Sequence, residues 1–333
     1  MTSAVLVTGG AGYIGSHVAL ELLDAGRRVV VIDDLSTGNR ALVPKGAAFQ
    51  QGDIADEALV ANLIADNQVD AIMHFAGSII VPESVAEPLK YYLNNTGKTR
   101  ALIATALGAG VRRFIFSSTA TIYGNPDEVP IPETAALRPI NPYGASKLMS
   151  EMMLRDVAAV NAFDYCILRY FNVAGADPGG RSGQSSGEGA THLIKVAAQA
   201  ALGKRPSVSI FGDDYPTHDG TGVRDYIHVS DLAAAHVKAL DALAAAPGRS
   251  HTLNCGYGRG SSVLDVLASV ERVAGVKLRT LQAPRRAGDP ATLVADSRLI
   301  RDRLGWEPRY DDLDLIVRHA LDWERGMAQA PAA

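Results

Sequence analysis

The chain has 333 residues, 47% of them apolar and 20% charged, with a formal net charge of −4. That length can bury a substantial core, in one large or two modest domains. The mild acidity gives no electrostatic reason to expect nucleic acid or an anionic membrane as a partner, and no apolar run reaches the ~18 residues of a membrane span. Cys166 and Cys255 are the only cysteines. They sit in apolar runs without metal-type spacing, so reduced core thiols in a cytoplasmic protein are expected, and no metal. A strand begins within a few residues of the N-terminus, which leaves no room for a signal peptide.

Strand-like runs at 4–8, 28–33, 48–52, 71–75, 114–117 and 165–170 alternate with helical patterns at 14–24, 58–66, 88–108 and 142–161. Continuous apolar strands alternating with helices predict a doubly wound α/β fold. Its parallel, Rossmann-type sheet is covered on both faces and binds ligands beyond the carboxyl ends of its strands. Near Ala176 the character changes. DPGGRSGQSSGEG has no periodicity and reads as a loop or linker. A helix at 191–202, the polar segment FGDDYPTHDGTGVRDYIH, a long helix at 229–245, a strand-like HTLNCG and a helix at 262–274 follow. The expected organisation is a cofactor domain over 1–176, to which about 225–255 returns, and a smaller α/β substrate domain over 177–333. No repeat is found, and the Ala-rich tail after Trp323 reads as frayed.

Chemistry concentrates at a few points. Gly9, Gly12 and Gly15 in GGAGYIG follow the first strand and run into a helix. Glycines there permit a tight turn and let backbone N–H groups approach a pyrophosphate at the helix N-terminus. The second strand ends in Asp33-Asp34, where a carboxylate accepts from ribose hydroxyls and repels a 2′-phosphate, which favours NAD over NADP. Asp53 and Ile54 end the third strand, where an adenine ring can lie. SSTATIYG, from Ser117, places hydroxyls at a strand end, although such runs also serve as turns. In NPYGASK, Asn141 is an N-cap and Pro142 suits the first helical position. Tyr143 and Lys147 then lie one turn apart on one helix face, so the ammonium can favour the phenolate of a tyrosine base.

Taken together, GGAGYIGSH, HFAGSIIVPESV, FSSTATIYG, NPYGASK, RYFNVAG, FGDDYPTHDGTGVRDYIHVSDLA and AGDPATLVAD resemble the UDP-glucose 4-epimerases of the extended short-chain dehydrogenase/reductase superfamily. The likeness runs in order from Val5 to about Trp323. It implies NAD held by Gly9, Gly12, Tyr13, Ile14, Gly15, Asp33, Asp34, Asp53 and Ile54. Phe75, Ala76, Gly77, Asn94, Ser117, Tyr143, Lys147, Tyr170 and Phe171 are implied as further cofactor contacts. Tyr143 is implied as the base for the sugar 4-hydroxyl, Lys147 as the holder of the nicotinamide ribose that also lowers the Tyr143 pKa, and Thr119 as a hydrogen-bond partner of the reacting oxygen. Asn172, His192, Leu193, Phe211, Arg224 and Arg286 match positions around UDP, with Asp289 at its ribose and Leu293 beside the hexose. The implied reaction passes through a 4-keto sugar, keeps NAD bound, and is carried out by a homodimer built on helices 88–108 and 142–161.

Three positions depart from the family pattern. Ile79 stands where many members have a cofactor-holding lysine, His192 where asparagine is frequent, and Leu293 where a tyrosine or a small residue is usual. Rival readings are an epimerase of another UDP-sugar such as a UDP-pentose, a sugar-nucleotide dehydratase, and a non-catalytic NAD-binding regulator. The dehydratases carry an Asp-Glu pair after the threonine, and here those positions are Ala120 and Thr121. An inactive regulator usually loses the tyrosine or the lysine, and both are kept.

Overall fold

Seven strands form the central sheet of the computed structural model, which describes residues 3–185, 191–286 and 289–329. They are β1 (Ala4–Thr8), β2 (Arg28–Asp33), β3 (Ala48–Gln51), β4 (Val69–His74), β5 (Arg113–Thr119), β6 (Asp164–Tyr170) and β7 (His251–Cys255). The spatial order is β7-β6-β5-β4-β1-β2-β3, and every neighbouring pair is parallel. The central strands β1, β2 and β4 are largely apolar because both faces are covered. Along β1 and β2, Val5, Val7, Val29 and Val31 enter one apolar cluster, whereas Ala4, Leu6, Val30 and Ile32 enter the other. That alternation is the period-2 geometry of a strand used twice, once for each layer of helices.

The order reverses between β1 and β4, which opens a crevice beyond their carboxyl ends. Thr8, the last residue of β1, lies in register with Ile32 and His74 at the ends of β2 and β4. The turns that follow these strands therefore share one rim. After β6 the chain leaves the sheet and later returns as β7, preceded by the helix Val229–Ala245, which packs on the helix Tyr13–Asp24. The remaining C-terminal half carries the helices Leu193–Ala201, Val263–Ala274 and Leu313–Gln329, which pack on one another. It also carries the parallel pair Val208–Phe211 with Thr280–Ala283 and a small sheet holding Val223–Arg224 between Ser261–Ser262 and Thr292–Leu293.

Several elements differ from expectation. The strand expected at 71–75 starts at Val69, because a register shift between Ala4 and Val5 lets Ala4 pair with Val69. The helix expected at 88–108 is a continuous run whose middle turn, Tyr92–Gly97, widens to π geometry between Pro88–Tyr91 and Lys98–Gly108. Such widened turns are frequent at functional sites, and this one holds Asn94 and Asn95. Helices at Val81–Ala86, Arg298–Leu304 and Leu313–Gln329 were not expected, and the last continues well past Trp323, where fraying was anticipated. Residues 186–190 of the expected linker and 330–333 of the expected frayed tail lie outside the described residues. The described part of that linker is tied down: Ser182 bonds Ser16, and Arg181 bridges Asp177 and Asp24.

The helix Pro142–Val160 is capped as its sequence requires, with the Asn141 side chain accepting from Gly144 N–H and Pro142 at the first position. It is fixed to the sheet by a buried ion pair. Arg169 on β6 donates to both carboxylate oxygens of Glu151, at 3.0 and 2.7 Å, and Ser118 on β5 donates to the same carboxylate at 2.6 Å. Arg169 also reaches the Tyr123 hydroxyl, which donates to Asn254 on β7. With its remaining donors and acceptors occupied, the pair repays its desolvation, and removing one partner leaves an uncompensated buried charge. Glu151→Ala should therefore destabilise the fold by about 3–5 kcal/mol in urea titration, and a loss under about 1 kcal/mol would show that the network holds little.

Candidate active site

The rim above β1, β2 and β4 is shaped for a dinucleotide. Gly9 has φ +69, and a Cβ there would stand 2.6 Å from the Ala76 nitrogen. A Cβ on Gly15 would lie 2.3 Å from the Gly9 carbonyl oxygen, so the turn and the helix pack without room for a side chain. The N-cap of the helix Tyr13–Asp24 is Gly12, which brings no capping side chain. Its first-turn N–H groups are thus left for an anion. Within that helix Ile14 is half-buried against the core, while the Tyr13 hydroxyl donates to Gly175 O at 2.7 Å and braces the loop after β6.

Asp33 is buried at the end of β2, and each carboxylate oxygen accepts one backbone N–H, from Ala11 and from Leu35, both at 2.9 Å. Burial raises its pKa and the two N–H donors oppose that rise. One lone pair per oxygen remains free for ribose hydroxyls. Asp34 is exposed and turned to the Ser36 hydroxyl and N–H. Asp53 accepts from Ala55 N–H and from Lys98 at 2.6 Å, with Ile54 buried beside it. Burial alone would raise the Asp53 pKa, and the Lys98 and Ala55 contacts outweigh it, so the carboxylate stays ionised. Across the crevice, Thr8 Oγ1 accepts from the N–H groups of Phe75 and Ala76. Asn95 holds both the N–H and the carbonyl of Ser78 next to Gly77, and Asn94 donates to the Ser78 hydroxyl. Ile79 is 57% exposed and apolar.

Tyr143, Lys147 and Glu151 occupy successive turns of one helix face. Lys147 is buried, donates to the Ser117 carbonyl at 2.8 Å and lies 4.7 Å from the Phe116 ring centroid. Burial lowers its pKa to about 8, with the Glu151 carboxylate opposing. The Ser117 hydroxyl pairs closely with the Tyr170 hydroxyl. Thr119 acts on the Tyr143 phenol, and its Oγ1 donates to the Thr121 hydroxyl at 2.9 Å and accepts from Thr121 N–H. In the protein alone, burial raises the Tyr143 pKa and the Thr119 side chain opposes that rise, while Lys147 donates to Ser117 O.

A second group gathers in the small sheet. Arg224 pairs with Asp289 and donates to the carbonyls of Val223 and Pro290, each at 2.7 Å. Arg286 lies 3.9 Å over the Phe211 ring. Leu293 is in register with Arg224, and it packs with Phe171 on the apolar cluster of Ala120, Ile122, Tyr123 and Ile131. Asn172 accompanies Tyr226 in a short parallel pair and donates its N–H to Asp225 O. Leu193 opens the helix Leu193–Ala201, and His192 before it is exposed with its ring bonded to Gln184 at 2.8 Å. Sequence reading missed Glu151, Arg169, Asn95 and Lys98, although Glu151 stands two helical turns beyond Tyr143 and that spacing was available.

A parallel sheet with a glycine-lined crevice, a buried aspartate at the end of the second strand and a Tyr-Lys helix has the architecture of NAD(P)-dependent enzymes. The chain belongs to the NAD dependent epimerase/dehydratase family, whose profile matches residues 5–256. It is 57% identical over 326 residues to the UDP-glucose 4-epimerase of Azospirillum brasilense, covering 98% of this chain and 93% of that one. Among solved structures, it is similar to the UDP-glucose 4-epimerase of Stenotrophomonas maltophila with bound NAD and formylated UDP-arabinopyranose, with TM-score 0.95 and 42% identity over 98% of this chain and 99% of that one. It is also similar to the UDP-Glc/GlcNAc 4-epimerase of Campylobacter jejuni, with TM-score 0.84 and 48% identity over 98% of this chain and all of that one.

The cradle fits NAD: Gly9 and Gly15 let the turn close tightly on the helix, the helix start carries no capping side chain, and Asp33 keeps a free lone pair on each oxygen. Asp33→Ala should lower the NAD(H) content of purified protein and relax discrimination against NADP, since the carboxylate both accepts from the ribose and repels a phosphate. Extraction and assay of bound nucleotide measures this, and unchanged content with unchanged NADP rejection would remove Asp33 from the site.

Proposed function

We propose that the chain is a 4-epimerase that interconverts UDP-glucose and UDP-galactose with NAD retained through turnover. The observation that carries this reading is the placement of Tyr143 one helical turn from the buried Lys147, which is held on the carbonyl of Ser117 near the end of β5, at the mouth of a dinucleotide crevice. NAD held in that crevice would supply the hydride acceptor for the sugar C4 and the donor for its return to the opposite face. Tyr143 takes the 4-hydroxyl proton as the hydride leaves and gives it back on return. Thr119, whose hydroxyl acts on that phenol, steadies the reacting oxygen. Lys147, fixed on the Ser117 carbonyl, keeps a donor against the nicotinamide ribose. Arg224, Arg286, Asn172 and Asp289 hold the UDP portion while the keto-sugar turns, with arginine forks matched to phosphate oxygens. Elimination of water lacks an acid, since Ala120 is buried and apolar and Thr121 is a hydroxyl. Two buried, unpaired thiols support a cytoplasmic setting, with galactose metabolism as its context. Over the chain, residues 1–176 with about 225–255 serve the cofactor, and most of the remainder serves the UDP-sugar.

Tyr143→Phe should retain bound NAD(H) and lose ~10²–10⁴-fold in turnover, because only the proton acceptor is removed. A loss under tenfold would take Tyr143 out of that role. NMR product analysis with UDP-glucose, UDP-N-acetylglucosamine and UDP-xylose in turn tests the choice of sugar, and failure to convert UDP-glucose would sink the reading.

Leu293 sets the room beside the hexose. It is shorter than tyrosine and bulkier than serine, and a methylene-scale change in an apolar pocket is worth only ~1–3 kcal/mol. Efficient hexose epimerisation with slower action on the N-acetylated pair is therefore expected. Leu293→Tyr should suppress the N-acetyl activity more than the hexose activity, and Leu293→Ser should raise it. Equal scaling of both activities would show that Leu293 does not line the pocket.

The proposed assembly is a homodimer. The helices around Pro88–Tyr91 and Pro142–Val160 pack side by side and expose Leu89 at 81%, Leu93 at 61% and Met152 at 52%. An apolar surface of this kind marks an interaction site. Sedimentation at micromolar concentration should give a dimer that Leu89→Lys shifts toward monomer, and a monomeric wild type would refute the interface.

A further inference from the structure

Tyr215 sits in the loop between Val208–Phe211 and Val223–Arg224, is 7% exposed, and has a buried hydroxyl with no hydrogen-bond partner among the described residues. The residue is held from several sides. The Arg285 guanidinium covers its face at 4.2 Å and is itself tied to Asp214 at 2.6 Å. The Tyr215 N–H is bound to Gly220 O at 2.8 Å, and a Cβ on Gly212 would stand 2.7 Å from the ring. Burial raises the phenol pKa, and so does the charge of Asp289, while Arg285 and Arg224 act against it. The hydroxyl therefore stays protonated, as a donor held within electrostatic reach of Asp289 and Arg224. A buried polar atom without a partner is costly, and natural proteins keep few of them. One fixed beside the arginine and aspartate expected at UDP is accounted for when a ligand completes its hydrogen bonding.

We infer that Tyr215 is a further nucleotide-binding residue, whose hydroxyl donates to the ribose–phosphate portion of UDP beside Arg224 and Asp289. This rests on the UDP-sugar reading above, but it concerns a residue to which that reading gives no part. The donor meets an oxygen that the protein itself does not supply, so it adds affinity without touching C4. Its removal should appear in binding and KM and leave kcat alone.

Calorimetric titration of full-length wild type and Tyr215→Phe with UDP and with uridine tests this. UDP should bind the variant about tenfold or more weakly, the size of effect expected for a hydrogen bond to a charged or strongly polar partner. KM for UDP-glucose should rise by a similar factor with kcat within about twofold. The thermal midpoint without nucleotide should stay level or rise, because the orphan hydroxyl is gone. Weakening with both ligands places the contact on the ribose, weakening with UDP alone places it on the phosphate, and either upholds the inference. Equal UDP affinity in the two proteins overturns it, as does weaker binding accompanied by a lowered midpoint or a collapsed kcat, which would mark a structural role. Wild type that does not bind UDP would defeat the UDP-sugar reading itself, an outcome read from a different sample.

Discussion

The salt bridge between Glu151 and Arg169 is the constraint on which the reactive geometry depends. Glu151 is wholly buried, and its carboxylate gathers Arg169 from β6, Ser118 from β5 and Arg155 from its own helix. A helix laid on a sheet by apolar contacts alone can slide or rotate by small amounts at modest cost. One held by a bidentate, desolvated ion pair cannot, because any shift lengthens charge-assisted bonds in a low dielectric. Lys147 and Tyr143, one and two turns upstream, inherit that position. The strand that supplies Arg169 continues into Tyr170, Phe171 and Asn172, so the same anchor also fixes the floor of the crevice.

Elsewhere the site is organised by partial satisfaction. Each Asp33 oxygen takes one backbone donor, Lys147 is committed to one carbonyl, and Gly12 leaves the helix start uncapped. The groups are held firmly enough to be directional while retaining capacity for a ligand. The arginine–aspartate pair in the small sheet follows the same logic with a different cost. Arg224 and Asp289 neutralise one another, so neither charge stands alone in the small sheet.

Much of this was legible in the sequence because local rules and tertiary outcome agree. β1 and β2 and the helix Val229–Ala245 have the expected bounds, since apolar runs and glycine or proline punctuation mark their ends. The cap at Asn141 and the turn at Gly9 also follow from residue type. What escaped was of two kinds. Leu313, Ile316, Val317, Ala320 and Leu321 recur at i, i+3, i+4, i+7 and i+8, a helical signal that the alanine-rich ending obscured. The other kind has no local signal. The π-widened turn around Asn95, the pairing of Lys98 with Asp53 and the meeting of Glu151 with Arg169 arise between segments far apart in the chain. The Tyr143 pKa illustrates the limit: spacing suggested a lysine that lowers it, whereas burial, which spacing does not show, raises it.

The return of β7 to the cofactor sheet bears on how the molecule is made. β6 ends at Tyr170, yet its outer neighbour is not synthesised until residues 251–255, after the strands that carry Phe211 and Arg224. A nascent chain released up to Ala174 would present β6 as an open edge, with the Asn254 partner of Tyr123 still missing. The loop that β7 closes is long, but closure entropy grows only slowly with length, so delay and exposure matter more than the equilibrium cost. A fragment that ends before residue 251 therefore leaves β6 without its outer neighbour, and on the ribosome the central sheet is completed only after residues 251–255 emerge.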